Sequence, residues 1–259
     1  MKNIIIVTGG AGFIGSNLIK FLVKKTRLKI ISIDNYTNGT KRNHIHHKNV
    51  KYIKEDNINI SKILKFYKKK IKVIFHFGEF SRIYQSFKNT KKCLNSNIYS
   101  SFEVINFAND NNIKIIYSAT SSNLGNGGKD ENSSPYAWSK SKNIELIKNY
   151  GKWFGLRYEI LYFYNVYGPG QISTGKMATI IGIFETQYKN KRPLTIVKPG
   201  SQKRDFTHIK DIIEGCYMAM IKGKNDEYML SSNKKFSILQ IAKMFNTKYK
   251  FIPSRPGDR

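Results

Sequence analysis

The sequence predicts an α/β protein, a doubly wound parallel sheet followed by a smaller C-terminal lobe, and three observations predict it. Short β-branched runs alternate with helix-period stretches through the first two thirds of the chain, the pattern of strands joined by crossover helices. A glycine-rich turn, Gly9-Gly10-Ala11-Gly12-Phe13-Ile14-Gly15, joins the first strand-like run to the first helical one. At Gly168-Pro169-Gly170 the alternation stops, and Pro193, Pro199, Pro253 and Pro256 punctuate the remainder of the chain. These signals place the sheet domain at residues 1–168 and the smaller lobe at 169–259, and a return of the chain to the sheet around 206–232 is expected.

The elements run in chain order. Asn3–Thr8 holds five consecutive β-branched residues, as a strand buried on both faces does. Phe13–Lys25 spaces Leu18, Phe21 and Leu22 along one helical face. Lys29–Ile33 and Val50–Ile53 are the next strands, and Lys68-Lys69-Lys70 reads as a solvated helix end before the strand Val73–Phe77. Asn97–Asn109 sets Phe102, Ile105 and Phe107 at helical spacing, Ile113–Ser118 is a strand, and Pro135 suits the first turn of a helix. Glu159–Tyr164 is the last strand before the change of character.

Composition bounds what the fold can be used for. With 259 residues, 40% apolar and 24% charged, the chain is too apolar for disorder and too long for a disulfide-stapled miniature. Cys93 and Cys216 form no zinc spacing, so neither a disulfide framework nor a metal is expected. No apolar run reaches the roughly 20 residues of a membrane span. The opening Met1-Lys2, then Ile4 to Val7, breaks at Gly9-Gly10, short of a signal-peptide core, so a cytoplasmic protein is expected. The net charge of +28 raises nucleic acid as a partner. However, Lys supplies 37 of the 45 positive residues beside 36 Ile and 25 Asn, the joint enrichment of AT-rich coding, and the lysines are scattered. Arg, the usual reader of bases and phosphates, occurs eight times, which argues against nucleic acid.

Three motifs carry chemistry. In the glycine turn, Gly9, Gly12 and Gly15 allow a tight bend, close approach to a pyrophosphate and close helix packing, and the helix N-terminus offers N–H groups to phosphate. Nineteen residues after Gly15 stands Asp34, whose carboxylate accepts both ribose hydroxyls of an adenosine and repels a 2′-phosphate, so NAD is expected over NADP. The alternative is a plain glycine turn with a helix-capping Asp. Tyr136 and Lys140, four residues apart, share a helical face. A phenol titrates near 10 in water, so a tyrosine base needs a neighbouring cation. Tyr-x-x-x-Lys arises easily by chance among 16 Tyr and 37 Lys, and its position beyond a strand-end hydroxyl cluster is what lifts it. That cluster, Tyr117-Ser118-Ala119-Thr120-Ser121-Ser122, lies where parallel sheets bind ligands, although a serine-rich turn is the simpler reading.

Together these residues resemble the extended short-chain dehydrogenase/reductases, in particular the nucleotide-sugar epimerase and dehydratase group. Thr8–Gly15 resembles its T-G-G-x-G-F-I-G, Asp34-Asn35 its D-N, Asp56-Asn57-Ile58 its G-D-I segment and His76-Phe77-Gly78 its H-x-A stretch. Asn97 matches the Asn opening the next helix, Thr120 the catalytic Ser/Thr five residues before Gly125, and Tyr136 and Lys140 the Y-x-x-x-K. Tyr164-Asn165-Val166-Tyr167-Gly168-Pro169 resembles F-N-V-Y-G-P, Arg204-Asp205-Phe206-Thr207-His208 resembles R-D-F-x-H, and Arg255-Pro256-Gly257-Asp258 resembles R-x-G-D.

The resemblance implies a Rossmann-type sheet with a C-terminal substrate-binding lobe, and a homodimer. It implies NAD held by Gly9, Gly12, Phe13, Ile14, Gly15, Asp34, Asn35, Asp56, Asn57, Phe77, Gly78, Asn97, Tyr136, Lys140 and Tyr164. Thr120, Tyr136 and Lys140 would be catalytic, and Asn165, Arg204, Arg255 and Asp258 would hold a nucleotide sugar, UDP-linked. Four departures stand out. Glu79 replaces the usual second alanine, Tyr162 replaces an arginine, and Asn123-Leu124 replaces Val-Tyr. The family also continues some tens of residues past R-x-G-D, whereas this chain stops at Arg259.

Sugar 4,6-dehydratases of the group place Asp-Glu after the catalytic Thr, where this chain has Ser121 and Ser122, and decarboxylases place Glu at the second position. Epimerisation at C4 is the expectation that remains. A keto-sugar reductase is a second reading, and a non-catalytic NAD-binding protein a third.

Overall fold

In the computed structural model, which describes residues 2–121, 124 and 129–254, the chain builds a parallel sheet of seven strands. Its first six are β1 (Ile4–Thr8), β2 (Lys29–Asp34), β3 (Val50–Lys54), β4 (Ile71–His76), β5 (Lys114–Thr120) and β6 (Tyr158–Phe163). The seventh, Glu227–Leu230, pairs in parallel with β6 after an excursion of more than sixty residues. Across the sheet the order is Glu227–Leu230, β6, β5, β4, β1, β2, β3. From β1 the chain winds outward to β3, then crosses back to β4 and winds the other way. The carboxyl ends of β1 and β4 therefore splay around a crevice, the position at which open α/β sheets bind ligands.

Alternation along β1 shows how both faces are covered. Ile4 and Ile6 enter one apolar cluster, beneath helices Ser100–Asp110 and Pro135–Phe154, whereas Ile5 and Val7 enter the other. That second cluster takes Leu18, Ile19 and Leu22 from helix α1 (Phe13–Lys25), and Ile209, Ile212, Ile213 and Cys216 from helix Ile209–Lys222. Each such side chain contributes about 1.5–3 kcal/mol on burial.

A third cluster, around Phe184, Leu194, Ile196, Phe206, Ile238 and Ile241, lies in the C-terminal part. There helices Ile180–Lys189 and Ile238–Met244 pack with two small sheets, Leu194–Val197 beside Tyr249–Ile252 and Lys203–Asp205 beside Lys235–Ser237. Cys93 and Cys216 are both buried thiols. Among the described residues no helix is long and apolar enough to cross a membrane.

Two expectations shift. The helix expected over 97–109 is preceded by the helix Thr90–Leu94 and a widened turn over Asn95–Tyr99, and its regular α-helical part runs Ser100–Asp110. Asn97 thus opens no helix and sits inside the widened turn. Strand β5 also runs two residues further than expected, which carries Thr120 to the strand's carboxyl end.

Candidate active site

The crevice is a cavity of about 1670 Å³. That exceeds the 300–1,000 Å³ usual for one drug-sized ligand and suits a dinucleotide together with a second nucleotide-sized molecule.

Backbone geometry builds one end. Gly9 has φ 69° and packs so tightly on the next strand's loop that a Cβ would lie 2.8 Å from the Gly78 nitrogen. A side chain here would be strained and would fill the crevice floor. Thr8 Oγ1 accepts the N–H groups of Phe77 and Gly78 at 3.1 and 3.0 Å, locking the glycine turn to the end of β4. Asp34, buried at the end of β2, accepts from Ala11 N at 2.9 Å and Tyr36 N at 2.8 Å. Burial pushes its carboxyl up, and those two N–H groups together with His44 pull against that rise. Asp56 accepts from Asn35 Nδ2 and Ser100 Oγ, both at 2.8 Å, and from Ile58 N at 3.1 Å. Burial alone would raise its carboxyl, but the hydrogen bonds outweigh burial and hold it low. Asn57 donates to the Gly78 carbonyl at 2.9 Å and leaves its buried Oδ1 without a donor. An orphaned acceptor on the wall, a glycine floor and a buried carboxylate suit the base, pyrophosphate and ribose of an adenosine dinucleotide.

Side chains from distant segments build the other end. Ser134 caps helix Pro135–Phe154 by accepting from Ala137 N at 3.1 Å, with Pro135 in the first turn, so Tyr136 and Lys140 face the cavity from the helix start. Thr120 lines the same space from the end of β5. Lys140 donates to the Ser118 carbonyl at 2.6 Å, lies 4.6 Å from the centre of the Tyr117 ring, and forms an ion pair with Glu79. Both carboxylate oxygens of Glu79 are engaged. Oε2 meets Lys140, and Oε1 accepts from Ser101 Oγ at 2.9 Å, Tyr117 Oη at 3.0 Å and Asn143 Nδ2 at 2.9 Å.

Behind Glu79 the network fixes a tautomer. Ser101 spends its proton on Glu79, so its oxygen accepts from His76 Nε2 at 2.9 Å. Burial pushes the His76 imidazole down to about 4, so it is neutral, and its Nδ1 accepts from Thr8 Oγ1 at 2.8 Å.

Of the residues given a catalytic or binding role from sequence, the described ones line this cavity with one exception. Gly9, Gly12, Phe13, Ile14, Gly15, Asp34, Asn35, Asp56 and Asn57 line the end around the glycine turn. Phe77, Gly78, Thr120, Tyr136, Lys140, Tyr164, Asn165 and Arg204 continue it. The exception is Asn97. It is fully buried, accepts from Phe80 N at 2.7 Å and donates to Phe80 O and Ser139 Oγ, so it braces the loop behind the cavity instead of facing a cofactor. Ser122, Gly125, Arg255 and Asp258 lie outside the described residues.

Sequence reasoning marks Glu79 as out of pattern but gives it no partner, names Tyr117 only within the hydroxyl cluster, and passes over Arg82, Ser101 and Asn143. Asn143 comes three residues after Lys140 on one helical face, a spacing that points to a shared partner.

Comparison with known proteins agrees with this architecture. The model of the NAD dependent epimerase/dehydratase family matches residues 5–231. A putative UDP-glucose 4-epimerase of Methanocaldococcus jannaschii is 30% identical over 247 residues, 92% of this chain and 79% of that protein. A dTDP-D-glucose 4,6-dehydratase of Dictyostelium discoideum is also 30% identical, over 92% of this chain and 60% of its own length. Among solved structures, the UDP-glucuronic acid 4-epimerase of Bacillus cereus, in complex with UDP-glucuronic acid and NAD, superposes with a TM-score of 0.88 at 28% identity, covering 98% of this chain and 88% of that one. The chain belongs to the NAD-dependent epimerase/dehydratase family.

Proposed function

We propose that the protein epimerises a UDP-linked hexose at C4, with Tyr136 as base, Lys140 beside it and Thr120 as hydrogen-bonding partner of the reacting sugar oxygen. One observation carries the choice of epimerisation over elimination. Among the described residues that line the cavity, the carboxylates are Asp34, Asp56 and Glu79. The first two stand at the adenosine end, and Glu79 spends both oxygens inside the protein. Elimination of water at the neighbouring carbon needs a free acid and base there, and Ser121 after Thr120 supplies neither.

The chemistry that bound NAD supplies is reversible hydride transfer. The chain's own residues manage the proton. Tyr136 Oη takes it from the C4 hydroxyl, holds it while the sugar is a ketone, and returns it after the ring has presented its other face. Thr120 orients the C4 oxygen, and Lys140 favours the phenolate electrostatically. Asn165 and Arg204 also line the cavity and would hold the diphosphate. Charge-assisted bonds to phosphate contribute about 1.5–3 kcal/mol each.

The test is incubation of the NAD-loaded protein with UDP-glucose. The expected outcome is UDP-galactose, with transient nicotinamide absorbance that free glucose does not elicit. A 4-keto-6-deoxy product would replace this reading with dehydration. Arg204→Ala should weaken the response to UDP-glucose about tenfold, through loss of one such bond.

A further inference from the structure

Arg82 is a cationic side chain that the site described above does not use. It ends the loop that follows β4, ahead of helix Ile83–Lys88, and lines the cavity. Its backbone stands at φ 126°, a conformation that side chains rarely adopt and that persists where the surrounding structure enforces it. Hydrogen bonds place it at the reacting end. Its carbonyl accepts from Ser86 N at 3.1 Å, and Ser86 Oγ in turn accepts from Tyr136 N at 3.2 Å. On its other side, Nε and Nη2 donate to the Met177 carbonyl at 3.0 and 2.8 Å. Arg82 therefore links the start of helix Pro135–Phe154 to the loop at residues 175–179, which also lines the cavity.

The Met177 carbonyl is a neutral partner and takes two of the five guanidinium hydrogens. The remaining three lie along the Nη1–Nη2 edge, a planar fork that matches a carboxylate. Among the described residues Arg82 enters no ion pair. Burial holds its guanidinium below the ordinary value, with Tyr136 opposing, as for a charge short of an anion.

The other cations of the cavity are placed differently. Lys88, Lys91, Lys92 and Lys176 are exposed, so water solvates them, whereas Arg82 is half-buried. Lys140 has Glu79. Arg204 stands on strand Lys203–Asp205, whose Asp205 carbonyl accepts from Asn165 Nδ2 at 2.8 Å, so these two residues share the wall proposed for the diphosphate. An anion for Arg82 has to come from another part of the substrate, beside Tyr136.

We infer that Arg82 is a specificity-determining residue that pairs with a carboxylate on the sugar, so that the substrate is a UDP-linked acidic sugar such as a hexuronate. The inference rests on the proposed placement of the sugar beside Tyr136, and it narrows the substrate from any hexose to one that carries a charge.

The test compares UDP-glucuronate with UDP-glucose, which differ only at C6 of the sugar, on the intact NAD-loaded protein. Calorimetry gives each affinity, and chromatography of the reaction mixture detects the C4 epimer. The protein should bind UDP-glucuronate about tenfold or more tighter than UDP-glucose. Arg82→Gln should weaken the uronate about tenfold or more and UDP-glucose less than about threefold, which closes the gap. Arg82→Lys keeps the charge without the fork, so its gap should shrink to about threefold, and it keeps the test available if Arg82→Gln does not fold. Lys176→Gln removes a solvated charge and should weaken both ligands alike, leaving the ratio in place.

Equal affinities in the unaltered protein overturn the inference. An equal loss for both ligands in Arg82→Gln gives Arg82 to the diphosphate and overturns it, as does an unchanged ratio in Arg82→Lys. A ratio that collapses in Lys176→Gln assigns the preference to the general positive field and overturns it too. The proposed function fails separately. If the uronate binds tightly through Arg82 but neither ligand yields a C4 epimer, epimerisation is wrong and the present inference stands; if the epimer forms while the affinities are equal, only the present inference fails.

Discussion

The two ends of the cavity are built by different means. At the end around the glycine turn much of the lining is backbone, supplied by a turn of seven residues and joined by the side chains of Asp34, Asp56 and Asn57, and a side chain in place of one glycine would obstruct it. At the reacting end the groups are side chains from five separate stretches. Glu79 and Lys140, 61 residues apart, meet only because β4 and β5 are neighbours in the sheet and helix Pro135–Phe154 packs beside them. The lesson is one of separability. A backbone-built subsite fails through shape, a side-chain-built one through charge, so variants should divide cleanly between affinity and rate.

The largest effect should come from Tyr136→Phe, which removes only an ionisable oxygen. Turnover should fall about 10³-fold, with NAD affinity and thermal stability within a factor of two of wild type. Loss of NAD binding in that variant would break the division between the ends.

His76 joins the two ends, through Thr8 on one side and Ser101 on the other. Its folded-state value of about 4 lies below the ordinary 6.5, so the unfolded chain binds the extra proton first on acidification. Stability should therefore be intact above about pH 6.5 and decline as pH falls toward 4, by an amount on the order of 3 kcal/mol. Urea unfolding across that range checks the slope, and imidazole NMR should show His76 neutral at pH 5.5.

Gly9→Ala tests the backbone end. The left-handed conformation costs a non-glycine residue about 1–2 kcal/mol, and the added carbon meets the loop at Gly78. NAD affinity should drop tenfold or more by calorimetry, while the rate at saturating NAD stays within threefold. The smallest effect is expected from Asp34→Ala. Removing a carboxylate from the ribose position should narrow the preference for NAD over NADP by about tenfold, some 1.4 kcal/mol. An unchanged preference would assign the selection to another group.

The same contrast explains what could be read in advance. The glycine turn, Asp34 and the strand alternation are local, and short-range pattern reports them almost residue by residue. The reacting end depends on which strands become neighbours. Thr120, Tyr136 and Lys140 are legible as residues of one cavity because they stand at the spacing of the motifs that the sequence resembles. Glu79 is legible only as a departure, since no spacing rule ties a loop after β4 to a helix 61 residues on. Asn97 misleads for a related reason. A polar residue at a motif position suggests a ligand-facing role, whereas its hydrogen-bonding capacity is consumed by the Phe80 backbone and Ser139.

The seventh strand bears on how the protein is made. Glu227–Leu230 seals the edge of β6 only after the third apolar cluster's strands Leu194–Val197 and Lys203–Asp205 have emerged. Until then the nascent sheet ends in an open strand, Tyr158–Phe163, whose unpaired backbone invites any other extended chain. Within it, the fully buried Glu159 has Lys114 as its counter-ion but waits for the N–H groups of Asn225 and Asp226, both at 3.1 Å. The sheet's last bonds are therefore also its latest in synthesis, and a ribosome stalled before residue 225 would present a sticky, half-neutralised edge to chaperones and to other copies of the chain.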